Sequence, residues 1–303
     1  MNTGIVYTTT GDSMRGSVTR YHHKPAPLML HKSKSNIDIA GLKKTQQRDV
    51  IKFDGMEYSA KFTIGMEVEK NTLHRGAVRE YELFCGFERD GSCGEHPGVD
   101  GYEAVTHILP LLPAGMWRTK VFDMMHKAEK IIDDKFSPSA QNCGGHITLG
   151  VEGMTGNEIR LEVRNYAGII YALFRNRLKN SYCNKNKRMV TEDEARRLGR
   201  YDWHYKYQVA LVKENCLEFR LPSRFESVKQ MMRRYELMYE VVNFAVNKKG
   251  KFDSMIKIVT PILKSMYNGN EDKVNEVIRL SKLFQKYILT GEVHQDILKW
   301  IEN

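Results

Sequence analysis

Apolar and polar residues alternate cleanly over residues 61–69, KFTIGMEVE. Phe62, Ile64, Met66 and Val68 fall on one face of an extended chain, and Thr63, Gly65, Glu67 and Glu69 on the other. The same period predicts strands over 102–109 (YEAVTHIL), 144–153 (GGHITLGVEG) and 216–222 (CLEFRLP), with LPLLPAG as a break after the first of these. Elsewhere the period lengthens. Val121, Phe122, Met125, Ala128, Ile131 and Ile132 form a helical stripe, and Val228, Met231, Met232, Tyr235, Met238, Tyr239 and Val242 form another. Residues 157–178 mix both signals, and their second half reads as a helix buried on one side. Thr191, with Glu194 three residues on, predicts a capped helix start. Two further helices are predicted near 252–267 and 271–289, with Asn268-Gly269 between them, and a short helix closes the chain. Residues 1–50 are polar and uneven and give no firm element.

A β-rich centre followed by a helical tail, with only weak βαβ alternation, predicts an α+β fold around an antiparallel sheet. No GxGxxG opens a helix and no GxxxxGK[ST] occurs, so neither the dinucleotide-binding nor the P-loop reading is supported. Three regions are expected: a basic N-terminal arm or accessory segment at 1–50, a core at 51–248 and a helical C-terminal extension at 249–303 packed on it.

Composition narrows the partners. The chain of 303 residues carries a formal charge of +10, which favours an anionic partner and leaves the basic arm as a candidate contact for one. No run approaches the roughly 18 apolar residues of a membrane span, and no apolar leader precedes a cleavage site. The five cysteines, Cys85, Cys93, Cys143, Cys183 and Cys216, are odd in number and scattered, which fits a reducing cytoplasm rather than a disulfide framework. Cys85, Cys93, His96 and His107 match no compact zinc spacing.

Charge changes the picture most at the strands. The polar faces carry Glu67 and Glu69, then Glu103 with His107, then His146 with Thr148, then Glu218 with Arg220. A solvated sheet face is one reading. In a basic chain, however, four glutamates gathered on one face would repel one another unless cations offset them, and Mg²⁺ suits oxygen ligands. Gly65 and Gly150 on the same faces fit either close approach by a ligand or a bulge.

At these residues the chain resembles the amidoligase family of the glutamine synthetase and glutamate–cysteine ligase superfamily. FTIGMEVE is similar to its opening strand with a Glu-x-Glu pair, and DGSCGEHPGVDGYEAVTHILP to its Asp-Gly-Ser turn and following glutamate. NCGGHITLG is similar to its Cys-Gly-x-His segment, FRNRLKNSYC to an arginine-bearing region, and CLEFRLPSRFESVKQMM to its closing Glu-Phe-Arg strand and helix. These pieces run in order over about 60–245; Thr148 stands where a second histidine is common.

The resemblance implies a curved antiparallel sheet with helices packed on one face, like the glutamine synthetase catalytic domain, and a helical C-terminal tail. It implies ATP and Mg²⁺ as cofactors, with Glu67, Glu69, Glu103 and Glu218 as metal ligands. His146, Arg177 and Arg220 would bind the nucleotide, and Arg177 and Arg220 would serve catalysis. The activity implied is ATP-dependent ligation of a small-molecule or peptide carboxylate to an amine through an acyl phosphate. The alternatives are a phosphotransferase on the same site and a non-catalytic nucleic-acid-binding or assembly protein. Asp90 and Ser92 read as turn formers. Cys143 and His146 would point to opposite faces of one strand, against a nucleophile pair. The basic loop Lys185–Arg188 reads as solvated or as a polyanion contact.

Overall fold

In a computed structural model the chain separates into two units, Met1–Gly145 with Arg224–Met232, and His146–Ser223 with Arg233–Asn303. The structure describes residues 4–9, 17–22, 51, 53, 55–56, 61–71, 82–94, 101–199 and 207–302, with side chains from residue 51 on, those of 85–89 and 91 excepted. His96, the side chain of Cys85 and most of the 1–50 arm lie outside the described residues.

Among the described residues the first unit has six strands: β1 (Gly4–Thr9), β2 (Ser17–His22), β3 (Phe62–Lys70), β4 (Phe84–Asp90), β5 (Gly101–Thr106) and β6 (Leu109–Pro110). They pair antiparallel in the order β1-β2-β4-β5-β3, and β6 joins β3. Two expectations change here. The N-terminal arm contributes the β1–β2 pair, and Leu109–Pro110 forms a strand rather than a break. The alternation read at 61–69 becomes β3, whose Phe62, Ile64, Met66 and Val68 are core residues alongside Leu83, Phe84 and Ala104. Helix α1 (Met116–Lys127) and the short α2 (Glu129–Ile132) bury Val121, Met125, Ile131 and Ile132, the stripe seen in the sequence.

The curved, glutamine synthetase-like sheet implied by the resemblance is not what the chain forms. The α+β character holds, but the sheet is open and flat. Curvature and closure need repeated bulges or glycine kinks along the strands. The β1–β2 and β3–β5 ladders run in unbroken register, and β4–β5 has a single irregularity between Phe84 and Gly86.

Among the described residues the second unit has three antiparallel strands, β7 (Ile147–Val151), β8 (Ala210–Val212) and β9 (Cys216–Phe219), with β9 between the other two. Its helices are α3 (Gly156–Val163), α4 (Gly168–Leu173), α5 (Glu192–Arg197), α7 (Phe252–Met266), α8 (Glu271–Thr290) and α9 (Gln295–Ile301); α6 (Val228–Asn243) begins in the first unit's segment and continues into this one. Thr155 and Glu158 close a capping box on α3, and Thr191 and Glu194 close another on α5. Asn268 and Gly269, with φ of 50° and 78°, make the left-handed turn between α7 and α8. Among the described residues, no helix is long and apolar enough to cross a membrane.

Helices α4 and α8 approach closely because Gly168 has no side chain. Its N–H donates to Gln285 Oε1 at 2.9 Å, and a Cβ there would lie 2.4 Å from the Ser281 carbonyl oxygen. The clash is with backbone, which cannot swing away. Gly168→Ala is therefore expected to cost about 1–3 kcal/mol in denaturant unfolding, whereas an unchanged midpoint would show that the helices can separate freely.

Candidate metal centre

Glu67 and Glu69 lie two residues apart on β3 and so share a face. In the β3–β5 ladder Glu69 stands opposite Glu103, and Glu67 stands opposite Val105. Each of the three glutamates offers a carboxylate oxygen, and these atoms lie within 4.8 Å of one another. All three are buried, at 7%, 6% and 0% exposure respectively, so the solvated-face reading fails for them. Carboxylates removed from water need hydrogen bonds or cations to remain ionised. One such bond comes from the Gly144 N–H, 2.5 Å from Glu69 Oε2. An all-oxygen donor set of this size suits a hard divalent cation such as Mg²⁺, Mn²⁺ or Ca²⁺.

The residue after the pair holds it in place. Lys70 ends β3, is fully buried, and donates from Nζ to the Ile132 carbonyl (2.7 Å), to Asp134 Oδ1 (2.7 Å) and to the Phe225 carbonyl (2.8 Å). Burial pulls its ammonium below the usual lysine range, against the ion pair with Asp134. One side chain thus pins the end of β3 to the end of α2 and to the segment before α6. Asn71 continues the anchoring: its N–H donates to Pro138 O at 2.9 Å, and its Oδ1 accepts from the Ala140 N–H at 2.9 Å.

The loop that brings Gly144 to Glu69 is itself fastened. Asn142 Nδ2 donates to the Ser92 and Gly94 carbonyls, and Cys143 Sγ donates to Asn71 Oδ1 and to the Cys93 carbonyl. The hydrogen bond between the two thiols, with burial, holds Cys93 well above the usual thiol range. Cys143 is therefore occupied in packing this loop. Asp90 caps the 3-10 turn at Gly91–Cys93 through the Ser92 N–H, as a turn former does.

In the second unit, His146 precedes β7 and Glu218 lies on β9, where it pairs with Thr148; a ligand atom of His146 and one of Glu218 lie within 4.8 Å. Both are buried. Glu218 is ion-paired on both oxygens. Arg220 Nη1 donates to Oε1 at 2.7 Å, and Lys213 Nζ pairs with Oε2. Arg220 also donates to the Tyr182 carbonyl at 3.5 Å. Arg177 sits in the 3-10 turn Arg175–Lys179, is buried, and accepts at its carbonyl from Cys183 Sγ at 3.2 Å. The basic loop is used within this unit. Lys187 Nζ donates to the Ile301 carbonyl at the end of α9 and Arg188 to the Leu289 carbonyl near the end of α8, where cations complement the helix dipole.

The structure thus gathers Glu67, Glu69 and Glu103 in one unit, and His146, Glu218 and Arg220 in the other. Sequence reasoning missed Gly144, which donates to Glu69, Lys70 and Asn71, which anchor the end of β3, and Lys213, which pairs with Glu218. Lys70 gave no signal, because a lysine at the end of a strand reads as solvent-facing. No family model matches the chain, and no curated protein matches it.

Two outcomes check the centre. Glu103→Gln is expected to weaken Mn²⁺ binding to the full chain at least several-fold in calorimetric titration, and wild-type affinity would remove Glu103 from the ligands. Lys70→Met leaves two buried carbonyls without their ammonium donor and should cost on the order of 3 kcal/mol in urea unfolding, whereas a loss near zero would show that the anchor is redundant.

Proposed function

We propose that the protein is a metal-dependent enzyme that uses ATP to join a carboxylate to an amine. The observation that carries this reading is the buried set of three carboxylates, all within 4.8 Å of one another, in a chain of net charge +10. Carboxylates are placed this way to hold a divalent cation, and a basic chain attracts a polyanion such as a nucleotide. The resemblance to the amidoligases supplies the reaction.

In this reading Glu67, Glu69 and Glu103 would hold Mg²⁺, which would supply positive charge against the phosphates of the nucleotide. Glu218 and His146 are a further pair of candidate ligands within the second unit. Arg220 and Arg177 offer planar forks to the transferring phosphoryl group or to the substrate carboxylate. The carboxylate attacks the γ-phosphorus, ADP leaves, and the amine then displaces phosphate from the acyl carbon to form the amide. Preorganised positive charge around the moving oxygens is the main contribution such a site makes.

The test is product analysis with ATP, Mg²⁺ and a panel of amino acids and peptides as carboxylate and amine. ADP release should require both partners and should yield their condensation product by mass spectrometry. Glu67→Gln and Arg220→Ala should each lower turnover by about a hundredfold or more. A phosphorylated product without condensation would instead identify a phosphotransferase. Full turnover in both variants would reject the site.

A further inference from the structure

Cys93 and Cys143 stand fifty residues apart in the chain and meet within the first unit. Cys143 Sγ lies 3.5 Å from the Cys93 carbonyl oxygen, and the two thiols share a hydrogen bond. Both residues are buried. Their backbones are clamped together beside the contact. Asn142, which precedes Cys143, donates from Nδ2 to the carbonyls of the two residues that flank Cys93, Ser92 at 2.8 Å and Gly94 at 3.0 Å. Cys93 is also seated on the start of β5, where a Cβ on Gly101 would come within 2.2 Å of the Cys93 Cβ. The other cysteines with described side chains, Cys183 and Cys216, belong to the second unit.

A disulfide bond of about 2 Å closes only between cysteines whose backbones already approach. Two thiols in contact, with the chain pinned on either side of them, meet that condition. We propose that Cys93 and Cys143 form a reversible oxidation site that closes to a disulfide with hydrogen peroxide as oxidant. Peroxide oxidises one thiol to a sulfenic acid and is itself reduced to water. The second sulfur then attacks the sulfenic sulfur, and the departing hydroxide takes the second thiol proton as another water. Two thiols and one peroxide thus give one disulfide and two waters. A dithiol reductant reverses the step by exchange through a mixed disulfide. The turn that carries Cys93 includes the exposed Ser92, so local opening of that turn admits a small peroxide. The new bond ties residues 91–94 covalently to the loop at 142–144, which hydrogen bonds hold in the reduced chain. That loop supplies the Gly144 N–H that donates to Glu69. The oxidation state of the pair therefore sets how firmly this backbone donor is held on Glu69.

The experiment is peptide mapping of the folded full chain after treatment with hydrogen peroxide and alkylation of the remaining thiols. Trypsin places Cys93 in fragment 90–118 and Cys143 in fragment 136–160, neither of which holds another cysteine. The two fragments should be recovered joined, short of two hydrogens, and dithiothreitol should part them. In urea the pairing should scatter over the five cysteines, because the fold brings these two together. In the oxidised folded chain the Gly144 N–H should exchange with deuterium several-fold more slowly. Fragments recovered apart, or Cys93 joined to a different cysteine, would overturn the site. Equally selective pairing in urea would overturn its origin in the fold. A joined pair with unaltered Gly144 exchange would overturn the hold on the Glu69 donor. Cys93→Ser should abolish the joined species, and the wild-type chain decides the matter even if that variant does not fold.

Discussion

Three carboxylates closed off from water and held within 4.8 Å of one another are the constraint that the first unit has to satisfy. Like charges at that spacing raise one another's cost of ionisation, and burial adds to it. Hydrogen bonds offset part of that repulsion, and a divalent cation would offset more. The surroundings of the cluster make sense in those terms: a backbone N–H from Gly144 aimed at Glu69, and a loop around Gly144 fastened by Asn142 and Cys143.

Rigidity is the second requirement, because a metal site tolerates little error in ligand position. The strand that carries two of the glutamates ends in a fully buried lysine whose ammonium holds two carbonyls and a carboxylate. That residue touches neither Glu67 nor Glu69 through its side chain, yet it sets where β3 stops. The same logic recurs in the second unit, where the buried Lys187 closes the end of α9 and the half-buried Arg188 the end of α8. Basic residues in this protein thus serve as fixings as well as surface charge.

Part of the carboxylate cluster was legible in the sequence. Period-two alternation placed Glu67 and Glu69 on one face, whereas Glu103 stands beside them through the register of β3 with β5, which alternation does not encode. Helical spacing found α1 and α6, and Asn268-Gly269 marked the turn between α7 and α8. The missed elements failed for physical reasons. Gly156–Val163 carries a capping box, Thr155 with Glu158, but its apolar residues also fit a strand. The β1 and β2 strands lie in a segment of polar composition, where hydrophobic period has little to report. Curvature of the sheet was taken from family resemblance, and nothing in a strand's own alternation encodes it. Lys70 and Lys213 were invisible because a lysine reads as solvent-facing until the residues around it are known.

The central claim is that the three glutamates of the first unit share a cation. Crystals grown with Mn²⁺ would test it through anomalous scattering. The account predicts a peak within ligand distance of oxygens from Glu67, Glu69 and Glu103. Mn²⁺ found only elsewhere, with those carboxylates hydrogen-bonded to protein or protonated against one another, would contradict it.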